Sequence, residues 1–579
     1  MALAAVFWWA GWRLARFFSS NLLLAWVWLM LFAGLAGMRN EQAVDIRTTA
    51  WALLWLSLYF FVEDKPFTAR QLLLALGAGI LALVKFTGLI AMVAVVLVIS
   101  ADVVLRRRRF PWIAVVYGAG VLFFWLTAGQ HLSLFGPYLR YSFLVAGGYN
   151  RAMGLSGPGE ISATLWMLAA SVTLLILMGY AAWQKYKMLA TLPLAGLGAL
   201  LFLTFKLASV RFQPIHSITT SLQLLVISLA CLAIVWPALQ NSNWRLRGSC
   251  LVVVAGIYLF CAARFHEGYR QMQYPDEKLW VNYAWTLNIN NLTAPAKLLH
   301  DAQYLEKRNE ENLSEIRQAF PLPPIQGTVD VYPWRQAVIF AHKLNYDPRP
   351  VIQSYSAYTP GLARINAGHL TNAGAPDNLL FDIDPQDGTY PSLEDGLSWP
   401  EMLTRYDISG VNGQFIVLKH APQPRTFLLT LVTNRLVVFG QTVAIPTNQG
   451  AIWATMEIEP TIRGKLASIV YKPAQLCLAV ELKGGERRYF KFVPGMAREG
   501  FLLSPLVQDK TSFISLAATG DAQNETGLQI ISAGIVPATS TGLTADYSPS
   551  MRWQFYRLEF PPQNPGSAPS QAAIPSPQN

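Results

Sequence analysis

Cysteine is nearly missing: there are four in 579 residues, and three of them, Cys231, Cys250 and Cys261, sit in apolar segments. Cys477 stands alone in the polar half, which excludes an internal disulfide there. With no C-x-x-C or Cys/His spacing, a zinc-held fold is excluded as well. No glycine loop for phosphates, no metal constellation and no Ser/His/Asp arrangement stands out. Asp382, Asp384 and Asp387 lie close together, but their spacing and the following Glu do not fit a calcium loop. Negative charge is scarce in one half only. Residues 1–264 hold 20 Lys and Arg against 6 Asp and Glu, while the rest hold 25 against 28. The basic surplus sits beside apolar runs and forms no stripe on a soluble face, which excludes a nucleic-acid footprint.

What the first half does have is long apolar runs. They fall at about 21–38, 47–62, 71–84, 86–104, 111–128, 161–183, 189–205, 217–239 and 248–263, with a partial one at 1–12. A helix needs roughly 20 residues to cross a bilayer, so this half reads as a polytopic helical bundle in a lipid bilayer. The run 71–104 is expected to be two short helices meeting at "VKFTG", because Lys85 at mid-membrane is costly unless it faces water, protein or the interface. Loops "RRRR" (106–109), "QKYK" (184–187) and "NWRLR" (243–247) alternate between spans and belong in the cytoplasm. Loops 129–160 and 206–216, and everything after Arg264, then face outward. Arg13 and Arg16 interrupt the opening segment early. Either a short helix begins there or the first elements of a larger bundle precede this start.

The second half reads as soluble. Residues 276–317 are expected to be helical. After "FPLPP", strands "TVDVY", "RPVIQSY", "NLLFDI" and "QFIVLKH" alternate with helices "WRQAVIFAHKL", "TPGLARINAGHL" and "WPEMLTRY", which predicts an α/β layer with a largely parallel sheet. From about 425, runs such as "TFLLTLV", "RLVVFG", "ASIVYKP", "LCLAVEL" and "WQFYRLEF" predict a β-sandwich. The expected fold class is an α-helical polytopic membrane bundle (1–264), a helical connector (265–327), an extracytoplasmic α/β domain (328–424), a β-sandwich (425–560) and a disordered Pro/Ser/Gln-rich tail (561–579).

"FKLASVRFQPIHS" (205–217) places Lys206, Arg211 and His216 in one short outward loop. Topology adds Lys85 at the hairpin tip and Arg140 in the other outward loop. Guanidinium and ammonium groups there suit a carrier phosphate. Taken singly, each has a plainer role as a snorkelling anchor. Together they exceed what the positive-inside rule predicts for this face. Glu41, Asp45 and Glu160 are the outward acids that could take an acceptor proton; as loop acids each is also simply solvated. In the segment 329–370, Gln353, Tyr355 and Tyr358 are the candidates for sugar binding through stacking and hydrogen bonds, whereas Tyr332 and Trp334 read as packing.

"LALVKFTGLIAM" resembles the lysine-bearing helix hairpin of bacterial multi-span glycosyltransferases of the GT-C class. "FKLASVRFQPIH", "VDVYPW…LNYDPRPVIQSYSAYTP" and "FVPGMAREGFLLSPLV" are similar to one bacterial branch of that class with a C-terminal extracytoplasmic region. The resemblance implies a polyprenyl-phosphate sugar as donor, an acid in the first outward loop as base (Glu41 or Asp45), and Lys206 and Arg211 on the carrier. It also implies a bacterial inner membrane, the C-terminal half on the periplasmic side, and an envelope polysaccharide or protein as acceptor. No cofactor follows from these residues. The alternative is a non-catalytic, membrane-anchored carbohydrate-binding or polysaccharide-assembly protein. A transporter fits less well, because the spans show no internal repeat.

Overall fold

The computed structural model describes residues 69–186, 191–214, 242–271, 301–446, 450–520, 528–538 and 544–563, with scattered positions among 12–26, 216–240 and 297–300. The chain divides into two compact units: Met1–Tyr138 with Leu155–Asp301, and Leu139–Gly154 with Ala302–Asn579.

The first unit is helical. Among its described residues, Phe86–Leu105, Glu160–Tyr186 and Trp244–Gln271 contain stretches long and apolar enough to cross a membrane. Leu97, Leu165, Ile176, Val252 and Leu259 on these helices are each 60 % exposed or more, a surface that suits lipid better than water. Trp112–Thr127 and the stretch Leu194–Val210 are shorter apolar helices. The expected segments 1–12, 21–38 and 47–62 lie largely outside the described residues. At "VKFTG" the helical path does break: Leu81–Val84 ends at Lys85, whose backbone is extended (φ −160, ψ 137), and Phe86 opens the next helix.

Two glycines let helices in this unit touch backbone to backbone. A Cβ on Gly79 would run into the carbonyl carbon of Gly120, and one on Gly120 into the carbonyl oxygen of Leu76. Small residues at such crossings allow close van der Waals packing. Gly120→Val is therefore expected to cost about 1–3 kcal/mol through overpacking. Gly118→Val, where a Cβ meets open space, is expected to leave the thermal midpoint of the purified protein unchanged.

Residues 129–160, expected as a loop, contain the helix Phe135–Ala152. Its part from Leu139 on belongs to the second unit. Tyr141, Leu144, Val145, Tyr149 and Ala152 recur at intervals of three and four, as one helix face requires, and with Met153 they pack on the core of the second unit. Asn150 donates from Nδ2 to the Ser468 carbonyl at 2.6 Å.

The rest of the second unit is rich in strands. β1 (Thr328–Tyr332), β2 (Asn345–Tyr346), β3 (Asn378–Phe381), β4 (Tyr406–Asn412) and β5 (Phe415–His420) form one sheet in the order β2-β1-β3-β5-β4. β1 is parallel to β2 and β3, but β5 is antiparallel to both β3 and β4. The expected largely parallel sheet is thus mixed, because the chain turns straight back at Asn412-Gly413, where Gly413 has positive φ. "RPVIQSY" is not a strand. Pro348 and Pro350 flank Arg349 and offer no backbone N–H to a ladder, so the segment runs as bends into a short 3-10 turn, Ser354–Ser356.

Next follow β6 (Leu428–Val438), β7 (Val443–Ala444), β8 (Ala451–Glu457), β9 (Leu476–Leu482), β10 (Arg487–Phe492), β11 (Phe501–Ser504), β12 (Ile530–Pro537) and β13 (Ser550–Glu559). They make two antiparallel sheets, β10-β9-β12-β7 and β11-β8-β13-β6. Alternate residues of β9 (Leu476, Leu478, Val480, Leu482) share one core with Met456 of β8 and Trp553 and Phe555 of β13. The other side of β8 and β11, through Trp453 and Leu502, packs with Phe381, Trp399 and Phe513 against the five-stranded sheet. "ASIVYKP", expected as strand, lies largely in the helix Ile462–Val470, which Thr461 caps by accepting from the Gly464 N–H at 3.2 Å. The helix Lys510–Thr519, unforeseen in the β-rich region, has a capping box at Asp509 and Ser512 and left-handed Gly520 at its end.

Candidate functional site

In the helical unit, the chain leaves Thr191–Val210 and pairs at once with a second loop. Leu155 N–H donates to the Val210 carbonyl at 3.0 Å, and Phe212 N–H donates to the Leu155 carbonyl at 3.1 Å. Arg211 and Leu155 are thereby locked side by side in a parallel bridge. Gly157 faces the Phe212 ring, where a Cβ would sit 3.2 Å from it. Gly159, at φ +77, then turns the chain into the helix that Glu160 opens.

This bridge brings Glu160 and Arg211, far apart in sequence, onto two paired loops. Arg211 is buried, with Nε donating to Gln213 Oε1 at 2.9 Å. Glu160 is also buried, and its Oε2 accepts from the Gly157 N–H at 3.3 Å. A carboxylate in the first turn suits the positive end of the helix dipole, which gives Glu160 a structural task. Lys206 is half-buried near the end of its helix, and the His216 carbonyl accepts from Thr220 Oγ1 at 2.8 Å. Lys85 is exposed at its helix break. Arg140 is exposed on Phe135–Ala152 and belongs to the second unit. Glu41 and Asp45 lie outside the described residues.

Beside the bridge, Thr164, Met167, Ala208, Phe212, Leu224 and Arg264 line a cleft between helices. Its walls are mostly apolar, and the Arg264 guanidinium lies 5.5 Å from the Phe212 ring centroid. A guanidinium beside apolar walls is chemistry suited to an anionic group at the mouth of this small cleft. Arg264 was missed in the sequence because it reads as the polar end of the last apolar run.

The second unit has its own cleft at the carboxyl ends of β1 and β3, lined by Tyr332, Ser354, Phe381, Asp382, Glu394 and Trp399 among others. Ligands of α/β sheets gather at such ends. Arg335 reaches Asp384 Oδ2 at 2.8 Å and lies 3.6 Å from Asp382 Oδ2, with its guanidinium 4.4 Å from the Trp334 ring centroid. Gln414 Nε2 donates to Asp382 at 2.7 Å. Burial pushes the Asp382 carboxyl above its ordinary range. Glu394 is the unusual member. Its Oε1 accepts from the Gln386 N–H at 2.7 Å, while its Oε2 has no partner among the described residues. Burial pushes its pKa up to about 8, so at neutral pH it is mostly a protonated acid able to donate.

The residues expected to bind sugar fall differently. Gln353 and Tyr355 are half-buried at the short turn, outside the residues lining this cleft. Tyr358 is 2 % exposed within the sandwich core, so its ring has no free face for a sugar, and burial pushes its hydroxyl pKa up. Among the described residues no three His, Cys, Asp or Glu side chains converge as a metal site.

No family model, curated protein or solved structure matches this chain.

Proposed function

We propose that the chain is a membrane glycosyltransferase that moves a sugar from a polyprenyl-phosphate carrier to an envelope acceptor on the outer face of a bacterial inner membrane. One observation carries this reading: the Leu155–Arg211 bridge beside an apolar cleft that includes Arg264. Arg211 and Arg264 would take the phosphate beside the cleft, with the prenyl chain left in the bilayer, and Lys206 would add positive charge and His216 a ring nitrogen at the same loop. Lys85 is proposed as a further cation on that face, whereas Arg140 belongs to the second unit and is not assigned to it. With Glu160 held in its helix turn, Glu41 or Asp45 is the proposed base, and the C-terminal half is placed in the periplasm. A second reading, a non-catalytic carbohydrate-binding or assembly protein, is favoured by the Glu394 cleft, where Oε2 has no partner among the described residues and is left to hydrogen-bond a hydroxyl.

Native mass spectrometry of the protein taken from its own membranes tests the first reading. The expected result is a retained polyprenyl phosphate, lost or reduced at least several-fold in Arg211→Ala, while the variant still elutes as a folded species. Equal lipid retention in the folded variant would sink the carrier role of Arg211.

A further inference from the structure

The helix Ile462–Val470 in the second unit turns its apolar side outward. Ile462 is 79 % exposed, Leu466 57 %, Ile469 64 % and Val470 54 %. At about 100° per residue these four fall on one stripe, with Arg463 at one flank and Lys465 at the other. The opposite side is fixed inward. Gly464 is buried so closely that a Cβ would run into the Asp546 carbonyl oxygen, Ser468 accepts from Asn150, and the N-cap Thr461 donates from Oγ1 to the Ala545 carbonyl at 2.7 Å. The helix therefore cannot roll its stripe into the core.

We propose that this stripe lies in the surface of a lipid bilayer, with the four apolar side chains among the acyl chains and Arg463 and Lys465 reaching anionic headgroups. An exposed apolar face with basic flanks is the pattern of an in-plane interfacial helix. The charge balance agrees. Glu457 and Glu459 both pair with Arg498, and Arg463 retains 55 % exposure of its side chain beside Asp546 at 3.3 Å. The size of the patch agrees too. A strip about 14 Å long and about 10 Å wide covers on the order of 140 Å², well short of the roughly 800 Å² per partner of a stable protein interface. A bilayer needs no such area, because helices elsewhere in the same chain would already tether this unit to it. The proposal rests on the helical unit spanning a membrane and is independent of glycosyl transfer.

The test uses the full chain in nanodiscs of phosphatidylcholine and phosphatidylglycerol, with a nitroxide on Leu466→Cys and the identically treated wild type as background. Leu466 is 57 % exposed and stands outside the described core clusters, so the substitution is expected to leave the fold intact. Lipid-dissolved oxygen is expected to relax the label several-fold more than a water-soluble nickel chelate. Arg463→Glu combined with Lys465→Glu is expected to lower that ratio in the same discs. A label reached mainly by nickel would overturn the proposal, as would one shielded from both reagents, the sign of a covering protein. A chain that does not enter the discs would overturn the membrane reading and this proposal with it, whatever carrier it binds.

Discussion

Replacing Arg349 by methionine is expected to destabilise the second unit by about 3–5 kcal/mol, the cost of leaving a buried charge without its partner. Arg349 is fully buried. Its Nη1 lies 2.9 Å from Asp330 Oδ2, and its Nε lies 3.7 Å from Asp395 Oδ2. It also donates to the Val331 and Pro333 carbonyls at 2.6 and 2.8 Å and to Ser354 Oγ at 3.1 Å, with its guanidinium 3.7 Å from the Tyr332 ring centroid. Asn366 holds Asp395 from the other side at 2.8 Å. One cation thus serves two carboxylates in the dry interior, and methionine keeps the stem but strands both acids. Domains are stable by only about 5–15 kcal/mol, so the loss is a large fraction of the whole. Hydrogen exchange of β1 in the full-length protein is the measurement, with protection expected to collapse. Adding Asp330→Asn and Asp395→Asn to the methionine variant is expected to recover part of it, because no unpaired charge then remains. Unchanged protection in the single variant would show that the triad contributes little.

The second large effect depends on pH. Burial is the main cause that lifts Glu394 to about 8 from an ordinary 4.5, opposed by the Gln386 N–H and the charge of Lys491. The folded chain therefore keeps a proton that the unfolded chain releases above about pH 4.5. Stability from this group is full below that pH and declines as pH rises through about 8, by an amount on the order of 5 kcal/mol. Asp395, lifted by burial to about 6 against the opposing charge of Arg349, adds the same sign over a lower window. Glu394→Gln is expected to remove the upper window and raise the thermal midpoint at pH 8 while changing it little at pH 5. Midpoints of wild type and variant at both pH values decide it. Parallel pH profiles would mean that the carboxyl titrates normally.

Much of the second unit could be read from local pattern. The alternation in "LCLAVEL" is the inward face of β9, and "WQFYRLEF" lies in β13. Thr359 and Pro360 mark the start of the helix Pro360–Thr371, although no cap hydrogen bond forms from Thr359. The errors arose where a local signal competed with a stronger one. β-Branched residues made "ASIVY" look like strand, yet the Thr461 cap and the close seat of Gly464 make it helix. Asn412-Gly413 is a hairpin signal that the strand-and-helix rhythm around it obscured. Arg211 was visible as a cation interrupting an apolar run. Its bridge to Leu155 was not, because backbone pairing between distant loops leaves no periodic trace. Glu394 was equally silent: a raised pKa comes from the surrounding packing, which one acid in "SLEDG" does not announce.

Residues 139–154 complete a unit whose other residues come after 301. A ribosome adds about 5–20 residues per second, so roughly 20–80 seconds separate Tyr149 from the last strand of the core it joins. Through that interval Tyr141, Leu144, Val145, Tyr149 and Met153 wait as an uncovered apolar seam, in need of shelter by a chaperone or a neighbouring lipid. A C-terminal half made without it is expected to expose the part of its core that this segment covers, and a synthetic 139–154 peptide supplied in trans is expected to bind there.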